Sequence, residues 1–246
     1  MQELVIGIKG AGEMASAVAH CLYRANVSRI FMMETAAPLA IRKLVSFSSA
    51  IHDEEIFVES VGGVRAENGY DAQSIWADKK IPIIIDPHWL IVKQLRANVV
   101  IDAILAKKNL GTNTNEAEMV IALGPGFVAG KDAHIVIETN RGHNLGRLIF
   151  SGSADRNTGI PGVIGGYSIE RVLRAPAAGR FIAKKKICDI VQAGECVGTV
   201  QGQWIRAEIG GVIRGLIKDG SLVSKGLKIG DIDPRGQTDY CYSISD

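Results

Sequence analysis

No stretch of this 246-residue chain approaches the ~18 consecutive apolar residues that a membrane-spanning helix requires. No run of like charge reaches five either, and the longest, Lys184-Lys185-Lys186, reads as a solvated strand end. With 28 basic and 26 acidic side chains the net charge is +2, which points to neither nucleic acid nor an anionic membrane as partner. Cysteine is scarce. Cys21, Cys188, Cys196 and Cys241 make no CxxC pair and no disulfide framework, so reduced thiols are expected. No His, Cys or carboxylate cluster has structural zinc spacing, and no metal site is expected. The first residues run straight into the apolar "LVIGI" rather than into a cleavable leader, and a cytoplasmic protein is the expectation.

What is present is ample apolar material, 47% of the residues, enough for one or two domains. "ELVIGIKGAGEMASAVAHCLYRAN" reads as strand, glycine turn and helix, with Met14, Val18 and Leu22 recurring at helical spacing. Gly10, Gly12 and Ala15 spell G-x-G-x-x-A, a form of the dinucleotide fingerprint. In it Gly10 permits the tight turn, Gly12 lets a pyrophosphate approach the backbone, and Ala15 keeps helix and sheet close. A second strand, "RIFMM", ends at Glu34, where an acid would accept a ribose hydroxyl. "PLAIRKLVSFSSAI" (38–51) reads as a helix with Pro38 at its first position and Arg42 as a possible anion contact. "IFVESV" (56–61), "PIIID" (82–86) and "NVVIDAIL" (98–105) read as strands, and "HWLIVKQLRA" as a short helix between the last two. Near-continuous apolar strands alternating with helices predict a parallel sheet, with Asp86 and Asp102 at its carboxyl edge as site candidates or strand-end caps.

Further on, "MVIAL" and "AHIVIET" are strands joined by "GPGFVAGKD", where Gly124, Gly126 and Gly130 suit positive φ. That loop is expected to form a backbone anion nest, with Arg141 and His143 as its side-chain complement. Past residue 170 the chain repeats itself at an offset of thirty-two residues: Gly179 with Gly211, Val191 with Val223, Gly194 with Gly226 and Gly198 with Gly230. Two such halves of short strands resemble the barrel-sandwich hybrid of biotinyl and lipoyl domains. The hairpin "VQGQWIRA" (200–207) lacks the lysine that a swinging cofactor needs, which disfavours a carrier role. Trp204 within it is a packing residue or a cover for a partner. Asp231, Asp233 and Arg235 form either a ligand site or a structural clamp.

The expected architecture is therefore α/β: a Rossmann-like nucleotide-binding domain over residues 1–110, a β-rich connecting segment with the glycine-rich loop over 111–168, and a barrel-sandwich-hybrid-like domain over 169–246. Taken together, "KGAGEMASAVAHCLYRA", "PLAIRKLVSFSSAI", "DAILAKKNLGT", "ALGPGFVAGKDAHIVIETNRGHNLG", "NTGIPG" and "RGLIKDGSLVSKGLKIGDIDPRG" resemble the YqeB family of selenium-dependent molybdenum hydroxylase maturation proteins. One departure stands out: Cys188-Asp189 occupies a place where Gly-Asp is expected. The resemblance implies an accessory role in maturing such hydroxylases, with a hydroxylase or a selenium-delivery protein as partner and homo-oligomerisation open. Whether a reaction is catalysed stays open as well. The bound cofactor would be an NAD-like dinucleotide or a molybdopterin-type molecule, on Gly10, Gly12, Ala15, Glu34, Asp86, Gly124, Gly126 and Arg141. An NAD-dependent oxidoreductase, with Asp102, Lys107 or His143 relaying protons, is the first alternative. A non-enzymatic docking scaffold anchored by Trp204 is the second.

Overall fold

The computed structural model describes residues 4–245 and divides into two compact units, one taking the chain up to Pro38 with Phe47–Thr158, the other Leu39–Ser46 with the chain from Gly159. The first unit opens with β1 (Val5–Lys9), α1 (Glu13–Arg24) and β2 (Arg29–Glu34). It continues through α2 (Ala50–Asp53), β3 (Glu55–Val58), β4 (Val61–Ala66), α3 (Gly69–Ala77), β5 (Ile81–Ile85), α4 (Ile91–Gln94) and β6 (Val99–Asp102). It ends with β7 (Met119–Leu123), β8 (Ile135–Ile137) and β9 (Leu148–Ile149).

All nine strands form one sheet, in the order β3-β4-β5-β2-β1-β6-β7-β8-β9. The central pairs are parallel, whereas β3 lies antiparallel to β4 and β9 antiparallel to β8. Every residue of β1 is buried, as expected of a strand deep inside a parallel array. Gly7 is there for space: a Cβ on it would stand 2.6 Å from the ring of Phe31 on β2, itself fully buried. The Trp76 indole of α3 donates to Ile30 O at 2.7 Å, so this large apolar ring is buried with its one polar atom satisfied.

The expected Rossmann-like parallel sheet is corrected by this topology. "IFVESV" does not make one strand: Glu59 takes a φ of +52° and folds the chain into the β3–β4 hairpin, which sets an antiparallel strand on one edge. The connections from β6 to β7 and from β7 to β8 contain loops and one 3₁₀ turn, Thr114–Glu116, instead of crossover helices. The helix expected over 38–51 is absent too. Its place is taken by 3₁₀ turns at Lys43–Val45 and Phe47–Ser49, followed by α2. Serine decides this locally, since Ser46 Oγ donates to Arg42 O and Ser16 Oγ accepts from Phe47 N, each substituting for helical backbone bonding.

The second unit carries β10 (Val172–Arg174), β11 (Gly179–Ala183), β12 (Ile190–Val191), β13 (Cys196–Val200), β14 (Gln203–Arg206), β15 (Gly211–Leu216), β16 (Leu222–Val223) and β17 (Lys228–Asp233). They form two four-stranded antiparallel sheets, β10-β17-β15-β12 and β14-β13-β11-β16. These two sheets stand where the barrel-sandwich hybrid of biotinyl and lipoyl type was expected, and correct that reading. The thirty-two-residue repeat is visible in them, because β11, β12 and β13 correspond to β15, β16 and β17. Gly179 and Gly211 share φ values of +151° and +154°, and Gly194 and Gly226 values of +85° and +81°. Phe181, Val191, Val197, Ile213, Val223 and Ile229 fill the core of this unit, joined by Ile41 and Leu44 from the 39–46 segment.

Candidate functional site

In the first unit β1 has β2 on one side and β6 on the other, and the chain builds outward from both. The carboxyl ends of β1 and β6 therefore meet at the switch point where open α/β sheets place ligands. Lys9 ends β1 and lies in register with Asp102, the last residue of β6. Both are buried, at 0% and 2% exposure. Lys9 Nζ donates to Thr112 Oγ1 at 2.7 Å and to Glu116 Oε1 at 2.9 Å, while Glu116 Oε2 stands 2.6 Å away. Thr112 Oγ1 in turn donates to Asp102 Oδ2 at 2.6 Å, and Asp102 Oδ1 accepts from Ile104 N. The Trp89 ring centroid lies 5.4 Å from Lys9 Nζ, within cation–π range. Asn109 shapes the loop that brings Thr112 in, accepting from Gly111 N and Thr112 N and donating to Thr112 O.

Beside this cluster the glycine turn opens α1. Gly10 needs to be glycine: its φ is +88° and its N–H donates to Met33 O. Gly12 does not. It is the α1 N-cap at φ −68° and ψ −174°, an ordinary extended conformation, and a Cβ there would meet nothing within 4 Å. As a glycine, the N-cap residue offers no side chain to cap α1. Ala15 is fully buried against the sheet.

Glu34 sits at this edge, with both oxygens engaged: Oε2 accepts from Ala11 N at 2.9 Å and Oε1 from Thr35 N at 2.8 Å. A full negative charge on an N–H of the turn outweighs the roughly half-charge of a helix N-terminus. Asp86 is a cap, its carboxylate accepting from His88 N and Ile91 N at the start of α4. Gly124 donates to Ile137 O, and a Cβ on it would strike Thr139 Oγ1 at 2.6 Å. Gly126 lies against the backbone of Lys107 and Lys108, a Cβ there reaching 2.6 Å from Lys108 Cα. Lys107 itself is exposed at a φ of +62°. Arg141 and His143 are exposed on the loop after β8, which Glu138 organises by accepting from Asn140 N and Asp155 N.

Of the residues singled out in the sequence, the structure gathers Gly10, Gly12, Glu34 and Asp102 along one edge. Lys9, Trp89, Thr112 and Glu116 were not foreseen. The one local signal was a lysine inside "LVIGIKGAG", a cation at the end of an otherwise apolar strand.

In the second unit Asp231 accepts from Arg171 and Arg214, and Asp233 from Arg235 in a two-point pair. Burial tends to raise the Asp233 carboxyl, but the hydrogen bonds and charge of Arg235 more than offset it and hold the group below its ordinary value. Trp204 is exposed, its ring 4.1 Å from Lys184 Nζ and 5.5 Å from the Arg206 guanidinium carbon. Cys188 adopts a φ of +77°, the left-handed conformation that favours the glycine expected at that place. Burial, together with a hydrogen bond to Cys188, pushes the Cys241 thiol up to about 12, so it stays protonated. Among the described residues no group of three or more His, Cys, Asp or Glu is placed to hold a metal ion, and no helix is long and apolar enough to cross a membrane.

No family model matches the chain. Solved structures with partial likeness include an aspartoacylase family protein from Mesorhizobium loti (12% identity, 94% of this chain and 85% of that one, TM-score 0.29). Others are the product-bound ectoine utilization protein EutE (DoeB) from Ruegeria pomeroyi (10%, 86% and 61%, TM-score 0.26) and a succinylglutamate desuccinylase from Silicibacter sp. (10%, 94% and 84%, TM-score 0.27). Scores this low carry no activity over to this chain. These likenesses give no support to the expected maturation role or to the NAD-dependent oxidoreductase alternative, and both are set aside. In sequence the chain is 46% identical, over 244 residues and 99% of its length, to the uncharacterized protein YqeB of Escherichia coli K12, of which it spans 45%. The family name supported by this likeness is that of YqeB.

Proposed function

We propose that the first unit binds a small, oxygen-rich and weakly charged molecule at the carboxyl edge of β1. A carbonyl, carboxylate or single phosphoryl oxygen would accept from backbone N–H groups at the start of α1, beside Gly12. Hydroxyls would donate to the remaining lone pairs of Glu34, since a carboxylate has about four acceptor sites and two are in use. Acidic groups outnumber Lys9 at this edge, which favours a hydroxylated ligand over a polyphosphate. The observation carrying the reading is Gly12, a glycine that neither its backbone conformation nor its surroundings require, set beneath open space at the switch point.

Gly12→Asn separates ligand from fold. Asparagine is a good N-cap, so the free protein is expected to keep its stability or gain a few tenths of a kcal/mol. The side chain fills the space, and ligand binding should disappear. A thermal-shift panel of hydroxy acids, ribosides and dinucleotides, with a molybdopterin-type compound included, supplies the probes. Saturation at a hundred times Kd stabilises the native protein by about 2.7 kcal/mol. A ligand that stabilises Gly12→Asn as much as the parent chain overturns the reading, as does a panel with no hit.

A further inference from the structure

Cys188 and Cys241, far apart in sequence, come together in the second unit. Cys188 N donates to Ile213 O at 2.9 Å, and Cys241 Sγ donates to the same carbonyl at 3.7 Å. Ile213 N in turn donates to Asp189 O at 2.9 Å, so one residue of β15 holds the turn that carries Cys188 from both sides. The two thiols are hydrogen-bonded to each other, and the Tyr242 hydroxyl makes a further hydrogen bond to Cys188.

The thiols differ in access. Cys241 is fully buried in the core of the unit, whereas Cys188 is half-buried and packs against that core. Cys188 also holds its φ of +77°, a conformation that is costly for a residue with a Cβ and free to glycine. A thiol within reach of solvent, backed by one that solvent does not reach, suits an oxidation that begins on the first and ends in a bond to the second.

From this adjacency we propose that Cys188 and Cys241 form a reversible modification site, at which hydrogen peroxide converts the two thiols to an intrachain disulfide. The Cys188 sulfur attacks one peroxide oxygen, the O–O bond breaks, and the thiol proton leaves with the other oxygen as water. A sulfenic acid remains on Cys188. The Cys241 sulfur then attacks the sulfenic sulfur, the S–O bond breaks, and the Cys241 proton departs with that oxygen as a second water. The thiol pair is oxidised by two electrons and the peroxide is reduced by the same two. Burial keeps Cys241 protonated, which shields it from direct oxidation and makes the closing step slow. No residue of the Gly12 edge takes part, so either reading can fail while the other stands.

Peptide mass spectrometry of the whole chain tests this, after peroxide treatment, alkylation in denaturant and digestion without reductant. One cross-linked pair joining Cys188 to Cys241 is expected, and dithiothreitol should remove it. The melting temperature should rise on oxidation and return on reduction. Cys188→Gly suits the backbone there, so the variant should fold and lose both the cross-link and the rise, while Cys196→Ser keeps both. A cross-link from Cys188 to Cys21 or Cys196 overturns the proposal. So does a Cys241 that is fully alkylated after peroxide, or a melting temperature that rises equally in Cys188→Gly.

Discussion

Lys9 shows how one side chain acquires a role that its neighbours in sequence do not suggest. Its partners, Thr112 and Glu116, lie 103 and 107 positions away. A fully buried ammonium survives only when paired, and its removal leaves Asp102 and Glu116 carrying uncompensated charge. Lys9→Met is expected to lower the unfolding free energy by about 3 kcal/mol in a denaturant titration. Glu116→Gln in the same chain should recover part of that loss, and strict additivity of the two changes would show that the pair is not coupled. Gly10 and Gly12 offer the opposite case. Their place in a βα turn was legible from spacing alone, but only the surroundings separate the glycine required by its φ from the one that leaves room.

Among the elements, the opening strand, turn and helix form where apolar periodicity and glycine spacing place them, because such signals act within a dozen residues. Residues 38–51 behave differently. Their pattern is compatible with a helix, and competing serine hydrogen bonds break it into 3₁₀ turns. Ser16 is the hinge of that arrangement: fully buried in α1, it donates to Ala11 O at 3.0 Å and accepts from Phe47 N at 2.8 Å. Ser16→Ala strands a buried N–H and is expected to cost about 1–3 kcal/mol by chemical denaturation. A neutral result would mean that Phe47 N finds another acceptor. The β3–β4 hairpin was missed for a related reason, since Glu59 at φ +52° is not a residue type that announces a turn.

At the scale of the molecule, two units with separate cores allow unfolding in two steps, so a single transition is not assumed. Acid should affect the second unit through Asp233. Its folded carboxyl lies below the ordinary 3.8, so its pairing contributes stability that is present above the unfolded value and lost as pH falls through the lower folded one. Arg235→Gln removes the partner that holds it down. The Asp233 titration followed by carboxyl NMR is then expected to move upward, and the melting temperature to begin falling at higher pH than in the parent chain. An unmoved titration would assign the depression to Arg214 instead. The thirty-two-residue repeat, the glycine turn at Gly10–Gly12 and the buried central strands were readable in the chain alone, because period, turn chemistry and apolar runs are local properties. The antiparallel edges of the large sheet, the Lys9–Thr112–Asp102 cluster and the Cys188–Cys241 pair came from folding. The cluster joins residues more than a hundred positions apart, the β3–β4 edge turns on a positive φ at Glu59 that its residue type does not announce, and the energy of a buried charge depends on which partners the fold brings within hydrogen-bond reach.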